Sequence, residues 1–158
     1  MPRGEKLQVK AKDLLPTMEI DLTWDHYFIN DDPDFLKEIA DGDGKFIVDY
    51  TEEIGGNVHV NPFDSDWGFG FPPDHPVEVT LAPTVRLGYS GQVSVQLTNA
   101  GFPKRPKYIA YLVRFPDGEA VNGYLAARSA RDLFGRQSHV DAAYHAEAQL
   151  RRRGVRPR

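Results

Sequence analysis

The sequence predicts a mostly β protein of the α+β class: a small antiparallel β-barrel or sandwich, with a short helix near residues 33–40 and a C-terminal helix near 139–153. Three observations predict it. Apolar side chains alternate with polar ones in eight short runs, the period of strands buried on one face. Clusters of Gly, Pro, Asn and Asp punctuate those runs. Helical spacing is confined to the segment after Asp32 and to the last quarter of the chain.

Leu7, Val9 and Ala11 alternate with Gln8, Lys10 and Lys12, which predicts the first strand. Leu14-Leu15-Pro16 interrupts it. Met18, Ile20, Leu22 and Trp24 alternate with acids and Thr23 and predict the second. Asp32-Pro33 supplies an N-cap and a proline at the first helical position, where a missing N–H costs nothing. Phe35, Leu36 and Ile39 share one face of the helix that follows. Asp41-Gly42-Asp43-Gly44 then looks like positions three to six of a calcium loop. Positions one and twelve would be Ile39 and Tyr50, so both essential carboxylates are missing, and the segment reads as a helix stop and turn. Phe46, Val48 and Tyr50 predict a strand, and Glu53-Ile54-Gly55-Gly56-Asn57 a hairpin into Val58 and Val60. An aromatic, Gly- and Pro-rich loop runs from Asn61 to Pro76, followed by a strand carrying Val77, Val79 and Leu81. Across residues 7–81, LQVKAKDLLPTMEIDL with its short strands and Gly-rich hairpin resembles small SH3-like β-barrel proteins; the resemblance is one of spacing and transfers no function.

Ala82-Pro83 is the expected seam. It divides an acidic, barrel-like β half (1–82) from a basic half (83–158) of hairpins followed by helices, or marks a bend within one continuous domain. Val85, Leu87 and Tyr89, then Val93, Val95 and Leu97, predict two strands around Ser90-Gly91. Ile109, Tyr111, Val113 and Phe115 predict another, and Pro116-Asp117-Gly118 turns it back through 119–126. Ser129…Asp132 and Ser138…Asp141 have capping-box spacing, the first for a short helix ending near Gly135, the second for a helix over 139–153 stopped by Gly154.

Net charge is only −4, but its distribution is uneven. Residues 13–85 hold 17 acids and two lysines, whereas residues 86–158 hold 13 basic residues and five acids. The chain has no Cys, which excludes disulfides, thiolate metal sites and cysteine nucleophiles. No apolar run approaches the roughly 18 residues of a membrane helix, and the first twelve residues are polar, so the expectation is a cytoplasmic protein with no membrane partner.

Catalytic patterns are sparse. Gly88-Tyr89-Ser90-Gly91 has part of a nucleophile elbow but lies between two strands, not at a strand-to-helix turn. There is no Walker loop, dinucleotide fingerprint or His-Glu-x-x-His helix. His59, Asp64, Asp66, Asp74 and His75 are the most credible ligand set. Their spacing matches no known site, and a plain surface is expected, with no metal and no cofactor. Asp141 and His145 are four apart on the last helix and are expected to form a local ion pair, with His139 on another face.

Two features point to a partner. Trp67, Phe69 and Phe71 alternate with glycines; the favoured reading places the rings in the core, the alternative makes them an aromatic platform. Lys104, Arg105 and Lys107 crowd one loop, and every basic residue from Arg128 onward (Arg128, Arg131, Arg136, Arg151, Arg152, Arg153, Arg156 and Arg158) is arginine, suited to bidentate contact with carboxylate or phosphate. The expectation is therefore a non-enzymatic binding or assembly protein that favours a protein partner or self-association and acts on no small-molecule substrate. Weakly specific nucleic-acid binding, or nucleic-acid mimicry by the acidic half, is the alternative, and a metal-dependent hydrolase built on His59 and His75 comes last.

Overall fold

The computed structural model describes residues 5–22, 33–34, 37, 44–63, 68–88, 90–100, 108–126 and 135–154, with the backbone alone at Asn99 and Ala100. The chain divides into two units, one ending at Leu81 and the next starting at Ala82.

The first unit is one antiparallel sheet of six strands. These are β1 (Lys6–Lys10), β2 (Glu19–Asp21), β3 (Lys45–Ile54), β4 (Asn57–Pro62), β5 (Phe69–Phe71) and β6 (Pro76–Thr80), in the order β1-β6-β2-β3-β4-β5. A single 3-10 turn, Ala11–Asp13, follows β1. The inward members of the alternating runs meet in one cluster, with Ile20, Val48, Val60, Phe71 and Val77 each fully buried. Each such side chain contributes about 1.5–3 kcal/mol by leaving water. Gly55 and Gly56 take φ of 59° and 80°, a two-residue hairpin turn that L side chains resist. Pro33, Asp34 and Lys37 are helical; the remainder of the expected 33–40 helix, with Asp41 and Asp43, lies outside the described residues.

Two expectations for this sheet are corrected. Tyr50 does not share the inward face of Phe46 and Val48 but is half exposed. The register slips between Val48, opposite Pro62, and Tyr50, opposite Asn61, and this bulge reverses which side chains point inward. Leu7 is 43% exposed because β1 is an edge strand, paired with β6 alone.

The second unit is a four-stranded antiparallel sheet carrying one long helix. Its strands are β7 (Thr84–Leu87), β8 (Gly91–Ala100), β9 (Tyr108–Arg114) and β10 (Ala120–Ala126), in the order β10-β9-β8-β7; the helix is α1 (Arg136–Arg152). Val95, Val113 and Val121 stand side by side across β8, β9 and β10, and Leu97 pairs with Tyr111. They form one core with Ala142, Ala143, Ala146 and Leu150 of α1. The three alanines let the helix axis approach the sheet closely. Ala110 and Leu112 are buried as well, so the continuous apolar run of β9 is covered on both faces. Helix α1 starts earlier than its capping-box spacing indicates: Gly135 is the N-cap and offers no side-chain bond, and Ser138 lies inside the first turn. It ends as expected, where Gly154 takes φ 77° and its N–H reaches the carbonyl of Arg151. The short helix expected before Gly135 lies outside the described residues. No helix among the described residues is long and apolar enough to cross a membrane.

Candidate functional site

Helix α1 presents three faces, and its chemistry follows from them. Ala142, Ala143, Ala146 and Leu150 press on the sheet. Gln137, Ser138, Asp141, Tyr144 and His145 form a second face, one wall of a cleft of about 540 Å³ whose floor is Ile109 and Leu125. Arg136, His139 and Val140 form the third, against β7, and line a separate cavity of about 420 Å³.

At the edge of the first cleft a part-buried polar cluster joins helix to sheet. The Tyr111 ring is fully buried, and its hydroxyl accepts a 2.5 Å hydrogen bond from Gln149 Nε2. The same hydroxyl is hydrogen-bonded to His145 Nδ1 at 2.6 Å, with the imidazole tautomer setting which of the two donates. The His145 ring also meets the tyrosine edge-on, with centroids 5.5 Å apart. Burial raises the Tyr111 hydroxyl above the ordinary tyrosine range, while the Gln149 bond and the charge of Arg153 pull it back in part. Tyr111 is therefore a neutral hydrogen-bonding post at physiological pH. Gly123 in β10, opposite Tyr111, leaves the space this hydroxyl occupies.

A buried pair joins the β7–β8 turn to the same helix. Ser90 Oγ donates to Glu147 Oε2 at 2.5 Å, and Arg151 Nη2 donates to Oε1 at 2.9 Å. Ser90 is 1% exposed, and its hydroxyl is spent on a carboxylate rather than aimed at a cleft by an imidazole. That geometry holds the β7–β8 turn to the helix and commits the Ser90 hydroxyl to a structural bond.

The residues singled out from sequence are distributed unevenly. Phe69 and Phe71 are 1% and 0% exposed and pack edge to face at 5.7 Å, so neither ring offers a face to a partner. Trp67, Lys104, Arg105, Lys107, Arg128, Arg131, Arg156 and Arg158 lie outside the described residues. Arg136 is exposed at the N-terminus of α1, and Arg151, Arg152 and Arg153 are exposed at its C-terminus. Arg151 is committed to Glu147. His75 stacks on Phe71 at 5.4 Å, His59 packs over Gly68, and Asp74 pairs with Lys10 and Lys12. Among the described residues no group of three or more His, Asp or Glu could hold a metal. The Asp141–His145 ion pair is replaced: Asp141 accepts from Gln137 at 2.8 Å, and His145 turns to Tyr111.

Tyr111, Gln149 and Glu147 were not legible as site residues. Tyr111 bonds His145 and Gln149 across 34 and 38 positions, and Glu147 bonds Ser90 across 57, where spacing rules have no reach. One signal was available: an isolated glycine in the β10 strand marks a close approach, and Gly123 is that glycine. No protein-family model, curated protein or solved structure matches the chain.

Proposed function

We propose that this is a non-enzymatic binding or assembly protein whose basic C-terminal unit engages an acidic macromolecular surface, in the first instance the acid-rich segment of a second copy. The observation that carries this reading is the division of charge along the unit boundary: 13 basic residues and five acids follow it, against a strongly acidic segment before it. Arg86, Arg136, Arg152 and Arg153 are exposed and form no ion pair among the described residues. Such cations are held outward at little gain to the fold and are available to a partner. The part-buried Tyr111 cluster and the Ser90–Glu147 pair are consistent with a rigid scaffold. A nucleic-acid partner is the second reading, favoured by the exclusive use of arginine from residue 128 onward, since guanidinium grips phosphate in bidentate fashion. We also read the six-stranded sheet as barrel-like, because its inward side chains from all six strands converge on one core.

Size-exclusion chromatography with light scattering tests the reading, with and without duplex DNA, at ionic strengths of about 0.01 M and about 1 M, where charges are screened beyond about 30 Å and about 3 Å. A larger species at low salt that dissociates at high salt, and that is lost in Arg152→Ala/Arg153→Ala, is the expected result. Arg151 is left in place because it supports buried Glu147. A monomer that ignores both salt and DNA refutes the proposal.

A further inference from the structure

A strand at the edge of a sheet offers a row of unpaired backbone groups, which proteins blunt with charge, proline or brevity. In the first unit, β1 carries Lys6 and Lys10, and β5 is three residues long and buried throughout. In the second, β7 is four residues long and carries Arg86. The remaining edge, β10, has none of these devices. Its seven residues, AVNGYLA, include no charge and no proline, and among the described strands it pairs with β9 alone. The Phe115 N–H donates to the Glu119 carbonyl, and along the register from there Val121, Gly123 and Leu125 turn their backbone groups to β9. Ala120, Asn122, Tyr124 and Ala126 therefore direct theirs outward, and the last three are exposed. No described residue takes up these donors and acceptors.

The cleft of about 540 Å³ is the independent observation, because it opens beside this edge. Leu125 and Ala126 of β10 line one side, and the α1 flank with Asp141, Tyr144 and His145 lines the other. Its floor, Ile109 and Leu125, is apolar. Asp141 is the acid in its wall: Oδ1 accepts from Gln137, and Oδ2 has no partner among the described residues. Among those residues no Lys or Arg lines the cleft. Tyr144, 56% exposed, adds an aromatic ring, a surface that attracts cations. The edge thus asks for a backbone, and the cleft beside it for one apolar and one cationic side chain.

We infer that β10 and this cleft together bind an extended peptide segment of a partner protein. The peptide joins the four-stranded sheet as an antiparallel strand beside β10, and turns toward α1 an apolar side chain and, two positions away, a lysine or arginine. Alternate residues of a strand share a face about 6.8 Å apart, so one such pair meets the apolar floor with one member and Asp141 with the other. Hydrogen bonds to the outward backbone of Asn122 and Tyr124 give affinity that is blind to sequence, and the cleft supplies the selection. Charge argues against a second β10 as the occupant, since that strand has no cation to offer Asp141. The inference is independent of the arginine surface in the partner reading: there arginines seek an acidic partner, whereas here an acid seeks a basic one.

The test is selection of displayed random peptides of about ten residues, the upper length of an ordinary strand, on the full chain. Fluorescence-polarisation titration of the enriched sequences follows. Those sequences should carry an aliphatic residue two positions from a lysine or arginine. Asp141→Asn should weaken their binding about tenfold or more, as for loss of a charge-assisted hydrogen bond. Replacing the peptide's base by glutamine should cost the parent protein the same factor and the Asp141→Asn variant little. Methylating the peptide's backbone amides one at a time should abolish binding at alternate positions only, because every second amide faces β10. That pattern reads strand addition without altering the protein. Asn122→Pro, which removes an outward N–H and spares the β9 ladder, should abolish binding, and Arg152→Ala/Arg153→Ala should leave it unchanged. No saturable binding at about millimolar peptide, undiminished binding in Asp141→Asn, or methylation effects without a two-residue period overturns the inference. So does a dimer that persists at an ionic strength of about 1 M and is broken by Asn122→Pro, which would give the edge to a second copy.

Discussion

Gly123→Ala is the sharpest test of the helix–sheet junction, because two opposing effects of known size meet there. Replacing glycine by alanine in a strand normally gains about 0.5–1 kcal/mol by restricting the unfolded chain. At this position the new methyl would sit 2.6 Å from Tyr111 Cζ and 2.8 Å from Gln149 Nε2, with the phenolic oxygen also in its way. Tyr111 is fully buried and cannot swing aside. Forcing it costs about 1–3 kcal/mol as overpacking. Displacing its hydroxyl sacrifices the bonds to His145 and Gln149, at about 0.5–1.5 kcal/mol each. Clash and lost bonds outweigh the entropic gain, and the expected result is a net loss of about 2–4 kcal/mol. Urea denaturation followed by near-ultraviolet tyrosine dichroism measures it. Both tryptophans, at positions 24 and 67, belong to the other unit's sequence, so their fluorescence serves as an internal control. A Gly123→Ala protein as stable as the parent, or more stable, would show that Tyr111 is not held where the structure puts it.

Ser90→Ala removes one donor from a carboxylate that is 8% exposed, and should cost about 1.5–3 kcal/mol by urea titration. Adding Glu147→Met should return most of that loss, since an apolar pair of similar shape leaves nothing unsatisfied; a neutral single variant contradicts the assignment. The two units should respond to acid in opposite directions between about pH 6.5 and about pH 4.5. Burial lowers the pKa of His139 from 6.5, so the unfolded chain binds its proton first and the second unit loses stability as pH falls. Burial raises Glu19 from 4.5, partly offset by Lys45, and raises Asp49 from 3.8; these groups bind protons in the folded state first, and the first unit gains stability over the same range. Hydrogen exchange resolved by peptide reads both units at once, and a parallel loss in both would contradict the assignment.

Much of the scaffold was legible because strand burial is a local matter. Met18, Ile20 and Leu22, or Val93, Val95 and Leu97, alternate with polar neighbours, and the pleat delivers each alternate side chain to one face whatever the rest of the chain does. Paired glycines at 55 and 56 announced their turn for an equally local reason, since few other residues accept positive φ twice in succession. The inward position expected for Tyr50 failed because a bulge needs a partner strand to define it, and the sequence of β3 does not contain β4. The start of α1 was misread for a related reason: Ser138 has the right spacing to Asp141, but packing of Ala142, Ala143 and Ala146 on the sheet carries the helix past it to Gly135.

By itself the sequence determined the β-rich class, the helix stop at Gly154, the absence of cysteine chemistry and the division of charge. Each is set by composition or by neighbours within a few residues. Only the tertiary structure decided that His145 answers Tyr111 rather than Asp141, that Ser90 is spent on Glu147, and that Arg86 and His139 line one cavity. Those pairings join residues separated by 34, 57 and 53 positions, and the partner of a polar side chain is chosen by which groups burial brings within hydrogen-bond reach.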